Sequence, residues 1–181
     1  RLRNGLIIFT NALMGLPPVV VGLLVYLFLS KSGPFGVFNL LFTPSAMIIA
    51  QIIIILPIIA SISHRTIRGL WNEYRDFFTS LNATRRQIIL TLVKDSRRSL
   101  ITAALAGFGR GIGEVGAIMI VGGNIDHATR VLTTAISLET SRGNFHLAMA
   151  LGIVLIIVSI LINFLMHLSI KSKYEQIDDR L

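Results

Sequence analysis

The sequence predicts an all-α polytopic membrane protein, and three observations carry that expectation. Of its 181 residues 53% are hydrophobic and only 14% are charged, with a mean hydropathy of +0.74, a balance far more apolar than that of a soluble domain. The apolar residues gather into uncharged runs close to the roughly 20 residues that a helix needs to cross a hydrocarbon layer about 30 Å thick. One long polar interval, His64 to Arg98, interrupts them.

Four spans follow in order. No residue between Arg3 and Lys31 is charged, and the first span is placed at 13–29, with Pro17 and Pro18 near its start, where a missing amide is tolerated. Residues 30–43 carry Gly33, Pro34 and Gly36 and read as a turn-rich loop. The second span, 44–63, is interrupted only by Gln51 and by Pro57, which is expected to kink it. The third, 99–121, holds Arg110 and Glu114 among glycines, and residues 122–144 form a polar connection. The fourth, 145–170, has no charge and ends in a water-soluble tail, 171–181. Arg1 and Arg3, the hairpin cations, Lys171 and Lys173 fall on one side of this arrangement, and Lys31, Arg130 and Arg142 on the other. The first side is expected to be cytoplasmic.

The interval 64–98 reads as a helical hairpin. Tyr74, Phe77, Phe78 and Leu81 recur at i, i+3, i+4 and i+7, the stripe of an amphipathic helix. Asn82 tolerates the left-handed conformation that ends a helix, and Thr84 is a good N-cap for a second arm bearing Ile88, Ile89 and Leu92. Arg65, Arg68, Arg75, Arg85, Arg86, Lys94, Arg97 and Arg98 surround it. Periodicity alone leaves open whether it is a docking element or a solvated loop. The net charge of +8 does not argue for nucleic acid, because a basic hairpin between spans is held against the membrane.

Arg110 and Glu114 lie one helical turn apart at membrane depth, where an ionisable group is costly unless it is paired or faces water. A structural ion pair, the lining of a route for a charged solute, and a proton relay through Glu114 all stay open. Gly111, Gly113 and Gly116 satisfy G-x-G-x-x-G, but no strand precedes them and no acid follows at the required distance, so a dinucleotide site is not indicated. Ala103, Ala106, Gly107, Gly109, Gly113, Gly116 and Ala117 instead let helices approach closely. The chain has no cysteine, and His64, His127, His146 and His167 are too scattered to form a metal set. No nucleophile with its base and no phosphate-binding loop is present, so no ATP hydrolysis by this chain is expected.

The stretch DFFTSLNATRRQIILTLV resembles the EAA loop of binding-protein-dependent ABC importer permeases. Asp76-Phe77-Phe78 stands where the family has Glu-Ala-Ala, Asn82 where it has glycine, and Lys94-Asp95 where many members have Leu-Pro. LPPVVVGL, Leu16 to Leu23, and GRGIGEVGAIMIVGGNI, Gly109 to Ile125, are similar to the molybdate and tungstate branch, the latter most of all to tungstate permeases.

The resemblance implies a type I ABC importer transmembrane domain over 1–181, with one or more N-terminal spans missing. By the same resemblance it would lie in the bacterial or archaeal inner membrane and would carry a cytoplasmic coupling loop at 64–98. It implies that Glu73, Tyr74, Arg75, Asp76, Phe77, Phe78, Ser80, Leu81, Asn82 and Ala83 couple to a cytoplasmic ABC ATPase. Arg110, Gly113, Glu114 and Gly116 would belong to the pathway or gate. Two copies would receive an oxyanion, tungstate or else molybdate, from an extracytoplasmic binding protein and move it inward by alternating access. ATP and Mg would be held by the ATPase, and this chain would bind no cofactor. The alternatives are an ion-coupled transporter or channel using Glu114, the same permease class with another anion, and a membrane scaffold that only recruits a cytoplasmic partner.

Overall fold

The computed structural model describes residues 14–178, with side chains for 14–166, and among these every regular element is helical. Helix α1 is Pro18–Leu29, followed by a 3-10 turn at Gly36–Phe38; α2 is Pro44–Ser80, α3 Arg85–Ile112, α4 Gly116–Gly122, α5 Leu132–Ser141 and α6 Phe145–Asp178. The chain divides into two compact units. One takes in Ile55–Phe108, the hairpin with its arms. The other takes in Leu16–Ile54 and the residues from Gly109 on.

In the second unit α1 packs on α4 and α5 on α6. Its core joins Val21, Val25 and Leu29 of α1 to Met47, Ala50 and Ile54 of α2 and to Ala117, Ile118 and Val121 of α4. Gly22 makes that approach possible, since a Cβ there would lie 2.7 Å from the Ala117 Cα. The Phe42 amide donates to the Val121 carbonyl at 2.9 Å, and the Phe42 ring meets Tyr26 edge-on at 6.2 Å. In the first unit, Gly107 allows α3 to approach α2, because a Cβ would lie 2.7 Å from side-chain atoms of Ile55 and Ile59.

The helices depart from the expected spans in ways that the chain explains. α1 begins at Pro18, with its φ preset for helix and no amide to satisfy, and it has only 12 residues, shorter than a span by itself. Residues 1–13, including Arg1, Arg3 and Leu13, lie outside the described residues. α2 runs unbroken through Pro57 for 37 residues, about 55 Å at roughly 1.5 Å per residue, so the first arm of the hairpin is its continuation. The span expected at 99–121 is broken: α3 ends at Ile112, α4 begins at Gly116, and the two meet at 62° while together remaining long and apolar enough to cross a membrane. The expected polar connection 122–144 contains α5. The Val131 amide donates to the Thr134 hydroxyl at 3.0 Å and so supplies a local start signal for that helix. α6 continues into the expected tail as far as Asp178; the side chains of His167, Lys171 and Lys173 and residues 179–181 lie outside the described residues.

Candidate functional site

Two constructions stand out, one in each unit. In the hairpin, Asn82 adopts φ 48°, its amide donates to the Thr79 carbonyl at 3.2 Å, and the Ala83 amide reaches back to Phe78 at 3.0 Å. This pair of bonds around a left-handed residue closes α2. α3 opens with a reciprocal cap, in which the Thr84 amide donates to Gln87 Oε1 at 2.9 Å and the Gln87 amide to Thr84 Oγ1 at 3.4 Å. Both helix ends are satisfied within a few residues, so the tip is rigid without help from elsewhere.

The apolar face expected from Tyr74, Phe77, Phe78 and Leu81 divides. Phe78 is 6% exposed, whereas Phe77 and Leu81 are each 61% exposed. Successive residues on a helix point about 100° apart, so Phe77 and Phe78 cannot both turn inward. Phe78 alone is buried; it stacks on Trp71, which is itself 37% exposed, at 6.3 Å and meets the half-buried Tyr74 edge-on at 6.1 Å. On the second arm Leu92 is buried, Ile88 half-buried and Ile89 exposed. Trp71, Phe78, Asn82, Ala83 and Ile88 border a cavity of about 290 Å³. Trp71 was absent from the sequence-based set, although its i, i+3, i+7 spacing to Tyr74 and Phe78 was there to be read. Among the other expected residues, Glu73 is exposed, Arg75 pairs with Asp76 at 3.4 Å in full view of solvent, and the Ser80 hydroxyl donates to the Phe77 carbonyl at 2.8 Å. The outward edge is thus Phe77 and Leu81, set among charges.

The second construction is the break between α3 and α4. Glu114 is 4% exposed, and its carboxylate and carbonyl accept from three partners. Arg110 Nη1 donates to its Oε2 at 3.1 Å, the Ala117 amide donates to its Oε1 at 3.1 Å, and Thr133 Oγ1 of α5 donates to its backbone carbonyl at 3.1 Å. The carboxylate therefore accepts an amide that the preceding turn of helix would otherwise have bonded, which both ends one helix and starts the next. Gln51 Nε2 of α2 donates to the Gly111 carbonyl at 3.4 Å, on the α3 side of the break. Beside it Met47, Gln51, Gly111, Ile118, Thr133 and Leu155 line a cavity of about 430 Å³.

The glycines serve different ends. Gly107 and Gly116 stand where a Cβ would press on Ile55 and Ile59, and on Val19, respectively; Gly109 has open space around it and Gly113 is exposed. Close packing thus accounts for Ala103, Gly107 and Gly111, a buried stripe four residues apart, and not for Gly109, Ala106 or Gly113. Thr133 and Gln51 were missed because their partners lie 19 and 60 residues away. The only hint was that Gln51 is the single amide in an apolar run.

Among the described residues no group of three or more His, Cys, Asp or Glu could hold a metal ion. Of the two constructions, one offers a rigid tip with an apolar edge, the other a broken helix fastened by a buried charge. Two of the helices, α2 and α6, are long and apolar enough to cross a membrane, which makes this a membrane-protein architecture. The chain belongs to the family of binding-protein-dependent transport system inner membrane components, which matches residues 1–172. It is 45% identical over 157 residues to a probable anion ABC transporter permease protein of Haloferax volcanii, covering 84% of this chain and 68% of that one. It is 37% identical to the tungstate uptake system permease protein TupB of Campylobacter jejuni, covering 92% of this chain and 70% of the relative. To the protein of the same name from Peptoclostridium acidaminophilum it is 39% identical, with 86% and 68% covered.

Proposed function

We propose that this chain is the permease subunit of an ATP-driven importer for an oxyanion, tungstate ahead of molybdate, and works as a pair of identical copies. A cytoplasmic ABC ATPase docks on the hairpin, and an extracytoplasmic binding protein delivers the anion. The observation that carries the coupling role is the outward pair Phe77 and Leu81, each 61% exposed, on a turn capped at both sides. An apolar edge on a rigid helical tip suits docking in a groove, and its rigidity transmits motion of the groove into α2 and α3. The choice of anion rests on the tungstate permeases at 37% and 39% identity.

In this reading the Glu114 break is the part of the pathway that moves. A helix already interrupted at residues 113–115 can change its bend without losing further backbone hydrogen bonds, and the ion pair sets its resting angle. Arg110, 38% exposed at its side chain, lends positive charge to the path while Glu114 keeps that charge from trapping a divalent anion.

The test is reconstitution in liposomes with the cognate ATPase and binding protein, following tungstate, molybdate and sulfate uptake with and without ATP. Uptake that needs both ATP and the binding protein, with tungstate first, is the expected result. Uptake that ignores both and tracks a proton or sodium gradient would overturn the importer reading in favour of an ion-coupled carrier using Glu114. No uptake with every partner present would leave a membrane scaffold.

A further inference from the structure

The loop between α1 and α2 carries an aromatic ladder that the transport reading does not use. Phe28, in the last turn of α1, stands 6.2 Å from Phe35, and Phe35 stands 6.5 Å from Phe38. All three rings are open: Phe28 is 49% exposed, Phe35 50% and Phe38 67%, and Val37 at the tip is 87% exposed. The ladder continues the exposed apolar face of α1, where Leu24 and Leu27 are also uncovered. A contiguous apolar surface of this kind on an inner-membrane component marks a contact with something apolar.

We infer that this loop, 31–42, is an interfacial anchor seated in the phospholipid headgroup layer, with Val37 and Phe38 dipping toward the acyl chains. Three features favour lipid. The patch is continuous with a helix face of a family that resides in the membrane, so the loop meets the bilayer where α1 leaves it. Its charge is suited to phosphates, because Lys31 is the only Lys, Arg, Asp or Glu between Arg3 and Arg65, leaving a cation at the rim and no carboxylate to repel the headgroups. The backbone is prepared for low polarity. The amides of Gly33, Phe35, Gly36, Phe38 and Asn39 all donate to carbonyls of the loop or of the last turn of α1, at 2.8 to 3.2 Å, which removes much of the cost of taking peptide groups out of water. Gly33 and Gly36 fit so closely against carbonyls of residues 27 to 31 that a Cβ at either would collide with them. The ladder is therefore fixed relative to α1.

This inference rests on family membership and not on the proposed substrate or coupling. These 181 residues contain no cysteine, so a thiol introduced among them, with any cysteine elsewhere in the permease replaced by serine, allows a direct test. A nitroxide is attached to Val37→Cys in the full permease in nanodiscs of phosphatidylethanolamine and phosphatidylglycerol, and its relaxation by oxygen is compared with that by a water-soluble nickel chelate. Asp95→Cys, exposed in the hairpin unit, is the aqueous control, and Phe38→Cys is the second position should the first variant fold poorly. Relaxation by oxygen exceeding that by nickel severalfold at 37 or 38, with the opposite order at 95, is expected. Nickel access at 37 and 38 equal to that at 95 would overturn the anchor, leaving a water-facing loop. Loss of access to both reagents would also overturn it, assigning the ladder to a second copy or another protein.

Discussion

Glu114→Gln and Arg110→Ala remove one ion pair from opposite sides, and the geometry requires unequal effects. Glu114 is 5% exposed at its side chain and Arg110 38%. Breaking a fully buried pair from one side typically costs about 3–5 kcal/mol, because the remaining charge is left without compensation. Arg110→Ala leaves the buried carboxylate with only the Ala117 amide and so belongs near the lower end, about 3 kcal/mol. Glu114→Gln keeps an oxygen for the Ala117 amide and leaves unpaired the less buried of the two charges, so a smaller loss of about 1 kcal/mol is expected. Glu114→Ala adds the lost cap, another 1 kcal/mol or so, for roughly 2 kcal/mol in all. Equilibrium unfolding in mixed micelles followed by far-UV circular dichroism reads the series, and the Arg110→Ala/Glu114→Ala double variant supplies the coupling energy. An order in which Glu114→Gln is as harmful as Arg110→Ala, or a coupling energy near zero, would refute the account of Glu114 as a buried clamp that needs its arginine.

Four further outcomes are expected. Asn82→Ala should destabilise the hairpin by about 1–2 kcal/mol, since alanine must take the left-handed conformation, while Asn82→Gly should be nearly neutral; thermal unfolding of the two variants side by side checks this. Phe78→Ala should destabilise the hairpin by about 3 kcal/mol and red-shift the emission of Trp71, the only tryptophan, because that ring loses its stacking partner. Phe77→Asp should leave the emission unchanged yet abolish co-purification of the ATPase, and retained binding would count against the outward edge as the docking surface. Gly22→Ala should cost about 1–3 kcal/mol, as its Cβ meets the backbone of Ala117 and not a side chain able to move aside; an unchanged unfolding midpoint would show that α1 and α4 can separate freely.

What the sequence determined by itself is local. The apolar runs fix the helices, the Asn82 turn and the Thr84 cap follow from contacts three to five residues apart, and Arg110 in the last turn of α3 is near enough in sequence to reach Glu114 just past its end. Each of these depends on residues that remain neighbours whatever the rest of the chain does. Tertiary structure decided what those signals leave open. Tyr74, Phe77, Phe78 and Leu81 share one helical stripe, but which edge turns inward depends on the second arm, whose Ile88 borders the same cavity as Phe78 while Phe77 stays exposed. The glycines around Glu114 permit either a continuous span or a break. The break is held there by the Thr133 hydroxyl of α5, on a segment whose composition read as polar loop, and by the Ala117 amide, which a carboxylate captures in place of a helical carbonyl. A partner 19 residues away leaves no periodic trace in the sequence, because the bond exists only once folding has placed α5 beside the gap between α3 and α4.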